Sequence, residues 1–236
     1  MQAQRRPDVS IVLPCRNERH SVGRVVRESL LAIDQLGLTG EVVVCDNGSI
    51  DSSGQLALDA GAKVVHQQAR GYGLSVRTAL SAASGSVIAV MDADGSYSPH
   101  DLAELVLPVM SGEVEYTRGS RFVAAPPPDA MGFARRRIGN PILTALLRAA
   151  GGRGWSDGQS GMWAVARATY GRLDLRSEGM EFAHEIVLEI RRVGASTSEI
   201  PIGYLPRQGR SKLRPIRDSI RHVRFLCEYA FLRPKI

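Results

Sequence analysis

The sequence predicts an α/β fold, with a mostly parallel central sheet and helices on both of its faces. Three observations carry that expectation. Short apolar runs alternate with longer stretches of helical periodicity from Val9 to Met91, the order βαβαβαβ that builds a parallel sheet. The runs end in polar residues, where open parallel sheets collect their ligands. The chain has 236 residues, 44% hydrophobic and 23% charged, enough for one large core. One domain over residues 1–213 with an added C-terminal helix over 214–236 is therefore the expected organisation.

The elements follow in order. Val9 to Pro14 reads as the first strand, and Glu18 to Leu36 has helical spacing of Val22, Val25, Val26, Leu30 and Ile33 before Gly37. Glu41 to Asp46 is the second strand and Asp51 to Ala60 a short helix. Ala62 to His66 is the third strand, Gly73 to Ala83 the next helix, and Ser86 to Met91 the fourth strand. A dinucleotide-binding fold needs glycines directly after its first strand, and here that loop reads Pro14-Cys15-Arg16-Asn17-Glu18. Nicotinamide and flavin chemistry is thereby disfavoured.

Composition narrows the class further. The three cysteines, Cys15, Cys45 and Cys227, show no metal-ligand spacing and read as reduced core residues of a cytosolic protein. The N-terminus lacks the apolar stretch of a signal peptide, and no apolar run approaches the roughly 20 residues that span a bilayer. The net charge of +6 is carried almost entirely by arginine, whose planar fork suits phosphate oxygens. Basic clusters interleaved with aromatics are lacking, so a nucleic-acid partner is not expected.

The fourth strand leads into Asp92-Ala93-Asp94-Gly95. Alternate residues of an extended chain point the same way, so both carboxylates can face one site while Ala93 faces away. Close carboxylates repel unless a cation or a proton intervenes, and a hard divalent ion shared with substrate phosphates resolves the repulsion. Taken alone, the same four residues also fit a polar turn. Asp46-Asn47-Gly48-Ser49-Ile50-Asp51 closes the second strand either as a turn with an Asp cap or as a carboxylate for a base and ribose. Arg70-Gly71-Tyr72-Gly73 opens a helix and offers a site for a diphosphate or a close backbone contact.

Together with the opening Val9–Glu18 run, these motifs resemble the family 2 inverting glycosyltransferases, which have a GT-A-type nucleotide-sugar transferase fold. Gly119-Ser120-Arg121, Ser156 to Gly161, Gly179 to Glu185, and Ile200 to Leu213 resemble the dolichyl- or polyprenyl-phosphate hexosyltransferase branch. The resemblance implies transfer of a hexose from a nucleotide-sugar, GDP-mannose or UDP-glucose, with Mg²⁺ or Mn²⁺ held by Asp94 and Asp92. Pro14, Asn17 and Glu18 would line the nucleoside pocket, with Asp46 on the base and Arg70 and Ala93 beside the donor. Arg121, Arg135 and Ser160 would meet the acceptor phosphate. Asp157 and Gln159 would line the sugar site, and Arg207 and Lys212 would close over the donor from a loop, Gln208 to Ser211, that lacks an apolar anchor and is expected to be poorly ordered without ligand.

The sequence departs from the family pattern at Arg16, where an aromatic is usual, at Asn47, where a second Asp is usual, and at Gly95-Ser96-Tyr97, which leaves a third protein ligand in doubt. Relatives often continue into transmembrane helices after the segment matching His222 to Leu226, whereas this sequence stops at Ile236. Over Pro215 to Phe231, one stripe holds Arg214, Arg217, Arg221 and Arg224 and another holds Ile216, Ile220, Val223, Cys227 and Phe231. That pattern fits a helix lying in a membrane interface, and equally one packed on the domain with a solvated basic face. A polyprenyl phosphate acceptor is anionic and needs no general base. A hydroxyl acceptor on a natural product or glycan needs one, with Asp157 and Glu185 as candidates. The expected location is cytoplasmic, with peripheral contact at the inner membrane face if the first acceptor is right.

Overall fold

In the computed structural model, residues 6–123, 131–133, 135–152, 154–209 and 215–232 are described. A seven-stranded sheet runs through the molecule in the order β3-β2-β1-β4-β6-β5-β7. Its first half follows the alternation read from the sequence: β1 Val9–Cys15, α1 Val22–Gln35, β2 Gly40–Asp46, α2 Ser53–Asp59, β3 Lys63–His66, α3 Tyr72–Ala82 and β4 Val87–Val90. β1 pairs in parallel with both β2 and β4, so the chain reverses its direction of travel across the sheet between them. The loops that leave β1 and β4 flank that reversal, where a crevice forms outside the strand ends.

The second half comprises α4 Leu102–Met110, β5 Tyr116–Ser120, α5 Asn140–Ala149 preceded by a π turn over Arg135–Gly139, β6 Trp163–Ala166, α6 Arg167–Tyr170, α7 Phe182–Arg192, β7 Thr197–Pro201 and α8 Pro215–Leu232. β6 runs antiparallel to both β4 and β5, while β7 joins β5 in parallel at the sheet edge. Because strand side chains alternate, Ile11 and Leu13 pack with Val25, Val26 and Leu105 on one face, and Val12, Val43 and Ile88 with Val76, Leu80 and Ile186 on the other.

Three expectations about elements are corrected. The first helix begins at Val22 rather than Glu18, because Glu18 to Ser21 form a turn in which the Glu18 carbonyl accepts from the amides of both Ser21 and Val22. Cys15 and Cys45 are buried, the thiol of Cys15 being pushed up to about 12 by burial and by Asp46, but Cys227 is exposed. On α8 the described part of the apolar stripe read from the sequence does not face the domain: Ile220, Val223 and Cys227 are exposed, while His222 and Leu226 are buried and anchor the helix, the side chains of Ile216 and Phe231 lying outside the described residues. Among the described residues, no helix is long and apolar enough to cross a membrane.

Candidate active site

The loops after β1 and β2 are tied to one another. Asn17 adopts a left-handed φ of 51°, which a short polar side chain tolerates, and its Oδ1 accepts from the Ile50 amide at 2.8 Å. Its own amide donates to Ser49 Oγ, the Glu18 amide donates to Ser53 Oγ at 2.8 Å, and the Arg19 amide donates to Asp51. Asp46 receives the Ser49 amide at 2.9 Å. These bonds hold Asn17 and Glu18 against the loop that follows Asp46, at the neighbouring ends of β1 and β2 where Pro14 also stands.

Asp92 and Asp94 leave β4 on the other side of β1. Ala93 between them is buried, and its carbonyl accepts from Ser21 Oγ at 2.8 Å, which fixes the strand end onto the start of α1. Asp94 Oδ1 accepts from both the amide and the hydroxyl of Ser96, at 2.9 and 2.6 Å. Its Oδ2 lies 3.1 Å from Arg207, and the same guanidinium nitrogen reaches Glu18 at 2.9 Å. The Tyr72 hydroxyl and the Asp92 carboxylate are neighbours, both lying against Gly161. Burial first and the neighbouring Asp94 second push the Asp92 carboxyl up to about 7, against the opposing pull of Arg207. Three carboxylates thus converge with one arginine among them, an excess of negative charge in hard oxygen donors that fits a divalent cation. Among the described residues no set of three protein ligands is arranged for a metal, so two carboxylates plus groups from outside the chain would complete such a shell.

The segment carrying Arg207 is laid down over the carboxylates. The Gly203 amide donates to Asp101, the Leu205 amide to the Ser96 carbonyl at 2.8 Å, and the Gln208 amide to the Asp94 carbonyl at 3.0 Å. Of the loop Gln208 to Ser211, the Gln208 amide is thus held by a backbone hydrogen bond, which apolar patterning does not reveal. Lys212, Arg210 and Ser211 lie outside the described residues, as does the side chain of Arg135.

Across the crevice, the residues expected to meet the acceptor are built into the protein. Arg121 is 1% exposed and grips Asp157, itself 0% exposed, through Nε–Oδ2 at 2.6 Å and Nη2–Oδ1 at 2.8 Å. Although burial pushes the Asp157 carboxyl upward, Arg121 holds it below the usual range, and both oxygens are engaged. Asp157 is therefore an anchor and not a general base. Glu185, the other candidate, accepts the amides of Arg176 and Ser177 at 2.9 Å each, so it too serves the chain. Ser160 is buried, and its hydroxyl accepts from the Met162 amide.

Arg118, which sequence reasoning passed over, holds this region together. It is fully buried, and its guanidinium donates to the carbonyls of Asp157, Gly158 and Ser160, the last at 2.7 Å. The loop it shapes closes onto the carboxylate pair. A Cβ on Gly161 would lie 3.0 Å from Asp92 Oδ2, and the Gly161 amide donates to the Tyr97 hydroxyl at 2.9 Å. The signal available in sequence was a charged residue in the middle of a strand, between Thr117 and Gly119, where an outward-facing arginine would be unremarkable.

At Arg70 to Gly73 the structure shows the second of the two readings, the close backbone contact. The amides of Gly73 and Leu74 donate to the carbonyls of Gly179 and Glu178, so the start of α3 is spent on protein backbone and not on a diphosphate. Added Cβ atoms would stand 2.2 Å from the Glu178 carbonyl at Gly71 and 2.3 Å from the Ser177 carbonyl at Gly73. Arg70 itself is exposed. Asn47 gains a reason here: its Nδ2 donates to the carbonyls of Gln67 and Ala69 while its Oδ1 accepts from Gly71, a set that an aspartate cannot make. A groove of about 1020 Å³ lined by Trp155, Val187, Arg191 and Tyr229 contains none of the residues expected for the site.

Residues 10–173 match the family described as Glycosyl transferase family 2. The chain is a family 2 glycosyltransferase. It is 35% identical over 220 residues to the low-salt glycan biosynthesis hexosyltransferase Agl6 of Haloferax volcanii, covering 93% of this chain and 53% of that protein. The chain thus spans about half the length of this relative. It is 27% identical over 209 residues to a dolichyl-phosphate hexose transferase of the same organism, covering 88% and 87% of the two chains. The glycosyltransferase has the GT-A fold of glucosyl-3-phosphoglycerate synthase from Mycobacterium tuberculosis, solved with Mn²⁺, UDP-glucose and phosphoglyceric acid, at a TM-score of 0.73 and 22% identity over 97% of this chain and 81% of that one. The expected fold and family are both met.

Proposed function

We propose that this glycosyltransferase moves a hexose from a nucleotide-sugar to a polyprenyl phosphate, with inversion at the anomeric carbon and with Mg²⁺ or Mn²⁺ at Asp94 and Asp92. The observation that carries the reading is the carboxylate cluster at the end of β4, which is short of positive charge and bridged by Arg207 to Glu18. A divalent cation bound there supplies charge to the leaving diphosphate. Pro14, Asn17, Glu18 and Asp46 form the wall for the nucleoside, and Arg207 exchanges its carboxylate partners for diphosphate oxygens when the donor enters. The acceptor phosphate oxygen forms the new bond to the anomeric carbon as the bond to the nucleoside diphosphate breaks, so the two anions exchange places and no proton has to move.

The acceptor is supported by two observations. Asp157 and Glu185 are occupied by the protein's own donors, which leaves a hydroxyl acceptor without either of its candidate bases. Ile138 in the turn before α5 and Ile142 and Leu146 on α5 itself stand four residues apart and exposed, with Phe133 exposed before them and Arg136 and Arg137 between Phe133 and Ile138. α8, packed on α5, exposes Ile220 and Val223 beside Arg217 and Arg224. Exposed apolar residues interleaved with arginines suit a lipid headgroup region, each arginine adding about 1 kcal/mol near an anionic surface. The names of the relatives, one a dolichyl-phosphate hexose transferase, favour the same class.

The test is transfer from UDP-glucose and from GDP-mannose to a short-chain polyprenyl phosphate, with Mg²⁺ and with EDTA, in anionic vesicles. Transfer that needs both the metal and the lipid phosphate is expected. Transfer to soluble hydroxyl acceptors alone assigns the chain to the other acceptor class.

A further inference from the structure

A series of polar side chains crosses the core of the C-terminal half, from the last helix to the loop that closes on Asp92. His222 of α8 and His184 of α7 are both buried, with their Nδ1 atoms 3.2 Å apart. On its other face His184 meets the Gln159 carboxamide, Nε2 to Nε2. Two imidazoles that meet through Nδ1 require one donor and one acceptor, so two neutral rings in this arrangement are of opposite tautomer. With Gln159 donating, His184 accepts at Nε2 and donates from Nδ1 to His222, whose proton then sits on Nε2. The Gly158 carbonyl, which accepts from the same Nε2, favours this orientation of the carboxamide over the reverse. The surroundings enforce neutrality: burial and the adjacent Arg118 disfavour a cation at His184, and burial outweighs Glu181 and Asp218 at His222, where Arg221 also opposes a charge.

The rest of the loop is held by different means. Arg118 takes the carbonyls of Asp157, Gly158 and Ser160, and the Gln159 amide donates to Asp157 Oδ1 at 3.1 Å. The Gln159 side chain is half-buried, and its contacts are the Gly158 carbonyl at 3.3 Å and His184. Two residues on, Gly161 lies against Asp92. With Nε2 donating to His184 and to the Gly158 carbonyl, the carboxamide oxygen is the atom that can accept from a sugar hydroxyl.

We infer that His184 and His222 are positioning residues for Gln159, so that the C-terminal helix, by seating the imidazole pair, fixes the carboxamide that reads a hydroxyl of the transferred hexose. This rests on the reading of residues 156–161 as the sugar-side loop. It makes α8 part of the wall of the site as well as a surface helix.

Three variants test it: His222→Phe fills the space without an acceptor, His222→Asn places an oxygen where Nδ1 was, and Gln159→Leu removes the carboxamide. The Gln159 side-chain amide resonance is identified by its loss in Gln159→Leu. It is expected to shift and to exchange with water about tenfold faster in His222→Phe, and to return close to wild type in His222→Asn. In transfer assays His222→Phe should lose about tenfold in kcat/KM for the hexose donor and should discriminate less between UDP-glucose and UDP-galactose, with UDP affinity unchanged. An identical Gln159 resonance in wild type and His222→Phe overturns the positioning. A changed resonance with unchanged kinetics overturns the role in sugar selection. A changed resonance in a protein that turns over no nucleotide-sugar leaves the positioning standing and removes the proposed function instead.

Discussion

The two sides of the crevice use charge in opposite ways. On the side built from β1 to β4, Glu18, Asp92 and Asp94 gather more negative charge than Arg207 can neutralise, and the imbalance is directed at the crevice. On the side built from β5 to β7, Arg118 and Arg121 are buried and their donors are taken up by carbonyls and by Asp157. A motif arginine can therefore act on the chain that carries it. The first side is poised for a ligand, the second is a scaffold that shapes a loop over it.

The sharpest way to break this contrast is to treat Arg121 as a ligand-binding residue. If it is scaffold, Arg121→Ala leaves Asp157 charged and buried, and the protein should lose about 3–5 kcal/mol of stability in urea unfolding. A variant as stable as wild type but defective only toward the acceptor would move Arg121 to the other side of the comparison. Asp94→Asn is the converse. It keeps an oxygen for Ser96 and relieves repulsion with Asp92, so stability should hold while turnover falls by about 10²–10³-fold in steady-state assays.

Smaller effects sharpen the boundary between the sides. Gly73→Ala puts a methyl 2.3 Å from the Ser177 carbonyl, and should cost about 1–3 kcal/mol by overpacking, measured by thermal unfolding. If that variant keeps its stability and loses donor affinity, the start of α3 is a ligand site after all. The histidine pair gives the smallest term. Burial holds His184 well below its ordinary 6.5 and takes His222 down to about 4, so the unfolded chain binds protons that the folded core refuses. Their contribution is complete above pH 6.5 and is lost as pH falls below it, His222 giving up its share by about pH 4. His222→Asn should flatten that part of the stability profile.

The same division marks what could be read in the sequence. β4 is an unbroken apolar run and β1 and β2 are built around apolar runs, and Asp46, Asp92 and Asp94 were located by the strands that end at them. β5 and β7, Tyr-Thr-Arg-Gly-Ser and Thr-Ser-Glu-Ile-Pro, carry no such pattern: β5 is buried with its arginine turned to the carbonyls of a loop, and β7 is a partly exposed edge strand. Motif resemblance found Arg121, Asp157 and Ser160 but could not say which way their side chains point. Nor could it find His184 and His222, which are 38 residues apart and meet only when α8 docks. Asn47 looked like a departure from the pattern, and it acquires a purpose only beside the carbonyls of Gln67 and Ala69.

The central claim is that the cluster at Asp92 and Asp94 binds a divalent cation together with a nucleoside diphosphate, and its direct test is thermal unfolding with UDP or GDP, in Mn²⁺ and in EDTA. Nucleotide at about one hundred times its dissociation constant should stabilise the wild type by about 2.7 kcal/mol in Mn²⁺. It should do so far less in EDTA, and Asp94→Asn should show little difference between the two. Equal stabilisation by nucleotide in EDTA and in Mn²⁺, or a Mn²⁺ effect that survives in Asp94→Asn, would contradict it.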